Sequence, residues 1–191
     1  MDLLHVTTRA EWRAWLSHHH ASADEVWLVS FRSPTDETNL PYGTAVEEAL
    51  CFGWIDSTRR TVDAERYAQR FTPRREGSPF SQPNRERLAC LVDEGRVHPD
   101  VLAQLPEFRP DAFEIPADIT AALQADPAAW AFFSSMPPAY QRIRAAYVDA
   151  ARRQEEAFEQ RLDHLVRKSA AGKAFGYGIE RFFGEAASAG R

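Results

Sequence analysis

Apolar residues recur along this chain in two periods, one helical and one of two. Thr8-Arg9-Ala10-Glu11 reads as a capping box, in which a hydroxyl accepts from the third helical N–H and a Glu reaches back. Trp12, Trp15, Leu16 and His19 follow at helical spacing, which predicts an amphipathic helix over 9–20. Val26 to Arg32 is β-branched and aromatic without alternation, the pattern of a strand buried on both faces. A polar, proline-bearing loop follows (33–42). Thr44 can then cap a short helix over 45–52, which Gly53 stops. Residues 54–61 and 66–72 read as two strands of a hairpin joined around Val62-Asp63-Ala64-Glu65, a turn without Gly or Asn.

The second half is helical. Pro73, Gly77, Pro79 and Pro83 interrupt any ladder and mark a loop. Ser81 can cap a helix over 82–94, with Gly95 as its left-handed stop, and a shorter helix follows Pro99. Pro106, Pro110 and Pro116 make 106–116 a linker. Helices over 117–125 and 127–135 come next, the second with Asp126 as cap and Pro127 at its first position. Between Pro138 and Ala171 there is no Gly or further Pro, so periodicity allows one long helix or two nearly in line. The tail from Gly172 alternates glycine with Phe175, Tyr177, Phe182 and Phe183. Its apolar edge at Ile179, Phe182 and Phe183 suits a short helix over 178–186, docked on the C-terminal helix or a second subunit because exposed phenylalanines are an aggregation hazard; a frayed chain end is the alternative.

The chain has 191 residues, 44% of them hydrophobic and 27% charged, which is ordinary globular composition. Two cysteines, Cys51 and Cys90, are too few for a disulfide scaffold. No run of 18 apolar residues predicts a membrane span, and Met1 to Trp12 lacks an apolar stretch of signal-peptide length, so a cytoplasmic protein is expected. The formal net charge of −5 argues against a general nucleic-acid or anionic-membrane protein. It is unevenly placed. Before Met136 there are 13 basic and 21 acidic residues, a net −8; after it there are 10 and 7, a net +3. Within the acidic part lies a basic island, Arg59, Arg60, Arg66, Arg70, Arg74 and Arg75, against Asp63 and Glu65.

That island supplies the candidate chemistry. On the second hairpin strand, even positions give Arg66, Arg70 and Arg74, and odd positions give Tyr67, Gln69 and Phe71. Period two therefore sets arginines on one face and aromatics on the other. Guanidiniums offer planar forks of donors to phosphate or carboxylate. The competing reading is a solvated face paired with Glu47, Glu48, Asp56 or Glu65. A two- or four-residue loop places Trp54, Asp56 and Thr58 on the face of Phe71, Gln69 and Tyr67, whereas a three-residue loop sets Asp56 beside Arg70. The first register gathers the aromatics and is preferred, with Trp54 buried near Phe71. Arg70, Arg74, Arg75, Ser78, Ser81, Asn84, Asp56 and Glu48 form the candidate ligand set, with Ser78 and Ser81 as cradle or as ordinary turn and cap residues.

Glu47 and Cys51 lie four apart and share a helix face. Cys51 is a candidate nucleophile if a base approaches through the fold, His98 or His164, and otherwise a small core residue beside Leu50 and Phe52. Glu48 and Asp56 are a candidate carboxylate pair. His18-His19-His20 cannot converge on one ion, because adjacent helical side chains point about 100° apart. No zinc spacing, phosphate loop, dinucleotide fingerprint or nucleophile elbow occurs, so no metal or cofactor is expected.

Y-G-T-A-V-E-E-A-L-C-F-G-W-I-D-S (42–57), R-F-T-P-R-R (70–75), S-P-F-S-Q-P-N-R (78–85) and E-G-R-V-H-P (94–99) occur in this order. Together they resemble the bacteriocin-protection, YdeI/OmpD-associated family over roughly residues 10–172. The resemblance implies protection against cationic peptides and association with the outer envelope. The chain departs from the family pattern at Phe80, where Trp is usual, and at 151–156, where Ala-Arg-Arg-Gln-Glu-Glu replaces a segment with Lys, Pro and Thr. If that segment is a break between helices, this chain lacks its signal.

These readings converge on an α+β protein: a small, mainly antiparallel sheet (26–32, 54–61, 66–72) packed by helices, with a helical C-terminal part. The organisation expected is an α+β region over 1–115 and a helical region over 116–191 packed on it as a single folding unit. The function expected is a non-catalytic stress or protection protein that binds an anionic small molecule or a protein partner through the 54–85 surface. The rivals are an enzyme using Glu48, Cys51 or Asp56, and a nucleic-acid module using the Arg/aromatic hairpin. Oligomeric state has no signature in the sequence.

Overall fold

Local sequence signals open most elements of the computed structural model, which describes residues 2–32, 37–105 and 109–184. At the head of α1 (Arg9–His19), Thr8 Oγ1 accepts from the Glu11 N–H at 3.2 Å while the Glu11 carboxylate accepts from the Thr8 N–H at 3.1 Å. Trp12 and Leu16 are buried on its inner face, and Trp12 Nε1 donates to the Ala45 carbonyl. Before it, Leu3–Leu4 forms β1, a two-residue strand too short for periodicity to announce.

β2 (Val26–Phe31) is buried continuously from Val26 to Val29, as its unalternating pattern predicts. α2 spans Tyr42–Cys51 and so begins three residues ahead of the start expected at Ala45. Pro41 takes the cap position with φ −57°, and its carbonyl accepts from the Ala45 N–H, so the ring starts the turn without a side-chain cap. Gly53 ends α2 at φ +72°, in the region where a side chain is strained.

β3 (Trp54–Thr61) and β4 (Arg66–Pro73) form the hairpin. In place of Gly or Asn, Asp63 organises the turn. Its carboxylate accepts from the N–H groups of Glu65 and Arg66 and pairs with the Arg66 guanidinium. The strand order is β1-β2-β4-β3, with β1 parallel to β2 and the other pairs antiparallel. The sheet is thus mixed rather than purely antiparallel.

Asp56 stands opposite Phe71 and Trp54 opposite Pro73, the expected register for the first half of β3. A bulge between Asp56 and Arg59 then reverses the parity, so Arg59 and Thr61, not Thr58, face Gln69 and Tyr67. Trp54 and Phe71 are both buried, and Trp54 Nε1 donates to the His20 carbonyl.

α3 (Gln82–Asp93), α4 (Pro99–Gln104), α5 (Ala117–Gln124), α6 (Pro127–Ser135), α7 (Pro138–Asp149) and α8 (Glu155–Ala170) follow. The stretch from 138 to 171 is two helices, and they are not in line, because Val148 of α7 and Leu165 of α8 share one core with Ile119, Leu123 and Phe133. The break keeps its place without proline. Arg152 secures it by pairing with Asp149 and with Asp118 at the head of α5. Ile179, Phe182 and Phe183 of the tail are buried, with Phe183 edge-on to Tyr140. The predicted tail helix is a 3-10 turn over Glu180–Phe182, and its last two expected residues lie outside those described.

The chain divides into two compact units, residues 1–80 with 87–107, and residues 81–86 with 108–191. The first holds the sheet, α1, α2 and α4; the second holds α5 to α8 and the tail. The first turn of α3 counts with the second unit and its remainder with the first.

Candidate functional site

Within the first unit, the turn after α2, the head of β3, the end of β4 and α4 enclose a groove of about 710 Å³. Leu50, Trp54, Phe80, Leu88, Val101 and Leu105 give it apolar walls. Gly53 belongs to the wall, where an added Cβ would lie 3.4 Å from Val101. The Gly53 carbonyl also accepts from the Arg74 N–H at 2.9 Å, which ties the end of β4 to the turn after α2.

Arg74 is the cation of the groove. Its guanidinium lies 3.7 Å from the centre of the Phe80 ring. Its Nε is buried and has no hydrogen-bond partner, and among the described residues it forms no ion pair. Burial lowers its pKa, yet a guanidinium keeps its charge in any protein setting. Ser78 and Gln104 add neutral hydrogen-bonding groups and Glu76 one carboxylate to the lining. Apolar walls around few polar groups, one of them an under-used cation, match a ligand with an apolar body and one anionic end.

The other expected residues are dispersed. Arg70 is engaged by Glu25, at 2.7 Å from Nε and 2.6 Å from Nη2, and Glu25 also accepts from Trp27 Nε1. The even-position face of β4 is accordingly not a row of free guanidiniums. Buried Ala68 packs there with Trp27 and Val29, and Arg60 lies over Trp27. Arg75 is exposed. Asp56 is half-buried and accepts from the Tyr42 hydroxyl at 2.7 Å. Ser81 and Asn84 count with the second unit.

Glu48 is the centre of a different constellation. It is fully buried, at 0% exposure, and its carboxylate takes Arg9 Nη1 and Arg13 Nη1 at 2.8 Å each, and Arg96 Nη2. Arg9 also holds Glu47 at 2.7 Å, and Arg96 reaches Glu94. Three guanidiniums thus meet three carboxylates, a balanced network and not a free acid. Cys51 stands beside it. Burial, then the Glu48 charge, pushes its thiol up to about 11, against the lesser pull of Arg13 and Arg96. A thiol so placed stays protonated at neutral pH and is a poor nucleophile. The His98 ring packs on Phe52 and His20, and His98 meets Cys51 through a backbone bond. His164 lies in the second unit. Among the described residues no group of His, Cys, Asp and Glu is placed to hold a metal.

Sequence reasoning missed the arginine partners of Glu48. Arg9 and Arg13 are visible as an i, i+4 pair on one helix face, but Arg96 arrives from 48 positions away. The groove was missed as a groove, because only the fold brings Val101 and Leu105 to Trp54.

Residues 4–104 match the model of a family described as a domain of unknown function, DUF8412. Residues 112–172 match that of the family described as bacteriocin-protection, YdeI or OmpD-associated. The match expected from the motifs is therefore present but confined to the C-terminal part, and the motif blocks between 42 and 99 fall under the other model. No curated protein and no solved structure matches the chain.

Proposed function

We propose, on the premise that the chain belongs to the DUF8412 family and continues into a bacteriocin-protection, YdeI or OmpD-associated segment, that it is a non-catalytic protection-type protein of the cytoplasm. Its first unit binds an amphipathic anion, an apolar body carrying a carboxylate or comparable oxyanion, in the groove at Arg74.

One observation carries this reading: Arg74, whose Nε is buried without a hydrogen-bond partner, lines an apolar groove, and among the described residues no carboxylate pairs with its guanidinium. Burying a donor without a partner costs about 1–3 kcal/mol, and a ligand acceptor would recover it. The protonated Cys51 and the fully engaged Glu48 support binding over catalysis. Cys51, a buried thiol, is consistent with a reducing compartment. Among the described residues no helix is long and apolar enough to cross a membrane.

Thermal denaturation with sodium octanoate, acetate and chloride at matched ionic strength tests the reading, since a ligand that binds only the native state raises its melting temperature. Octanoate is expected to stabilise more than acetate, and Arg74→Gln to remove the difference. Equal response to all three salts, or an octanoate effect that survives in Arg74→Gln, overturns it. A single-stranded oligonucleotide in the same series addresses the nucleic-acid rival, and no shift is expected from a chain of net charge −5.

A further inference from the structure

The second unit carries an arginine whose situation is more extreme than that of Arg74. Arg144 of α7 is 6% exposed. Among the described residues its buried Nε has no partner, and its one hydrogen bond runs from Nη1 to the Phe175 carbonyl at a long 3.4 Å. The guanidinium lies 4.3 Å from the centre of the Phe175 ring and 4.8 Å from that of Tyr147. The backbone closes tightly over it. A Cβ on Gly176 would sit 2.6 Å from Arg144 Nη1, and Gly176 adopts φ +129°, so the tail can pass here only as glycine.

Two neighbours, Arg161 and Lys168, add charge of the same sign. Arg161, His164 and Lys168 succeed one another at three- and four-residue spacing and share a face of α8. Arg161 lies 4.2 Å from the centre of the same Tyr147 ring and donates from Nη1 to the Tyr147 carbonyl at 2.8 Å. The His164 ring meets Phe175 edge-on at 4.8 Å. Arg144, Arg161 and Lys168 form no ion pair among the described residues. Asp163, the α8 carboxylate that acts on His164, is held by Arg167 at 2.7 Å. The two ring faces offset only part of the cost of burying the Arg144 charge.

We infer that Arg144, Arg161, His164 and Lys168 form an oxyanion site in the second unit, distinct from the Arg74 groove, whose ligand is a phosphate group, free or as a monoester. Phosphate suits the set better than carboxylate does. Two guanidiniums with an imidazole and an ammonium supply more donors than a planar monoanion has lone pairs to meet, and a tetrahedral dianion has three or four oxygens for them. Arg144 holds the anion from behind, and the half-exposed Arg161, His164 and Lys168 admit it from solvent.

Calorimetric titration of the full chain with inorganic phosphate, at ionic strength fixed with chloride, tests the assignment, with acetate and phenyl phosphate as parallel titrants. Saturable phosphate binding is expected, with acetate weaker. Loss of one charge-assisted bond weakens binding about tenfold or more, so Arg161→Gln should show that loss and Arg144→Gln a larger one. Arg161→Gln changes a partly exposed side chain and keeps the test valid if Arg144→Gln fails to fold. Arg74→Gln should bind phosphate as the parent does, which separates this site from the groove. Tighter binding of phenyl phosphate assigns a monoester, and equal binding assigns free phosphate. No saturable phosphate binding, binding unchanged in Arg161→Gln, or binding lost in Arg74→Gln overturns the inference.

Discussion

Glu48→Gln is the change that most sharply probes how the first unit is held together. It keeps the shape of a side chain that is fully buried and removes the charge that three guanidiniums share. Removing one member of a buried ion pair costs about 3–5 kcal/mol, because the partner is left charged and uncompensated. Here the partners are not sealed in: the side chains of Arg9, Arg13 and Arg96 are 36%, 40% and 27% exposed. Arg9 retains Glu47 and Arg96 retains Glu94, so only Arg13 is left with no carboxylate, keeping its bond to the Arg96 carbonyl. The Gln amide also points donors at donors. These considerations place the cost near the lower end, about 3 kcal/mol. With a urea m-value of about 2 kcal/mol/M, the midpoint should fall by about 1.5 M. Equilibrium urea unfolding followed by tryptophan fluorescence measures it, since Trp12, Trp15, Trp27 and Trp54 lie in this unit. Arg167→Gln is the control, because its pair with Asp163 is more than 60% exposed on both sides and should be worth less than about 1 kcal/mol. A Glu48→Gln midpoint no lower than that of the control refutes the network as a source of stability.

Trp54→Ala empties a fully buried site beside the sheet and should cost about 3–5 kcal/mol by the same urea titration; a midpoint that does not move refutes its place in the core. Cys51, with its thiol pushed up to about 11, should resist alkylation by iodoacetamide at pH 8 in the native state and react on unfolding; peptide mapping that finds it labelled at the rate of a free thiol contradicts the assigned environment. Burial, with Lys168, Arg167 and Arg144 adding to it, lowers the pKa of His164 from its ordinary 6.5, so its protonation favours the unfolded state. The stability this residue contributes is full above about pH 6.5 and is lost as pH falls from there through the folded pKa. In phosphate-free buffer, the stability of the parent relative to His164→Gln should therefore fall below pH 6.5, and a difference constant from pH 8 to 5 refutes the shift.

Helices marked by local chemistry were legible in the sequence: the Thr8 capping box, the Asp126 cap with Pro127, and the stops at Gly53 and Gly95 all appear where the residues place them. Elements set by tertiary contacts were not. β1 exists because two leucines pair with Trp27 and Leu28, and two residues carry no period. α7 and α8 separate because their apolar faces close on one core, which a stripe without Gly or Pro does not reveal. The bulge after Asp56 hid the second half of the hairpin register.

The candidate site was legible only in part, and for a related reason. Period two correctly set Arg70 opposite in direction to Phe71, but pattern cannot say that Glu25 waits for it 45 positions away. Arg74 lies past the end of β4, where the strand period no longer governs its side chain. The separation of Arg70 and Arg74 into a paired and an unpaired cation is a product of the fold.

The most direct test of the central claim reads the Arg74 Nε–H itself. Arginine side-chain Nε–H correlations recorded by NMR during titration with octanoate, and assigned through Arg74→Gln, report whether an acceptor reaches the buried nitrogen. A saturable downfield shift of the Arg74 resonance, with that of Arg70 unmoved in its pair with Glu25, is the predicted result. An Arg74 resonance that stays in place while octanoate shifts others, or while nothing shifts at all, contradicts the account.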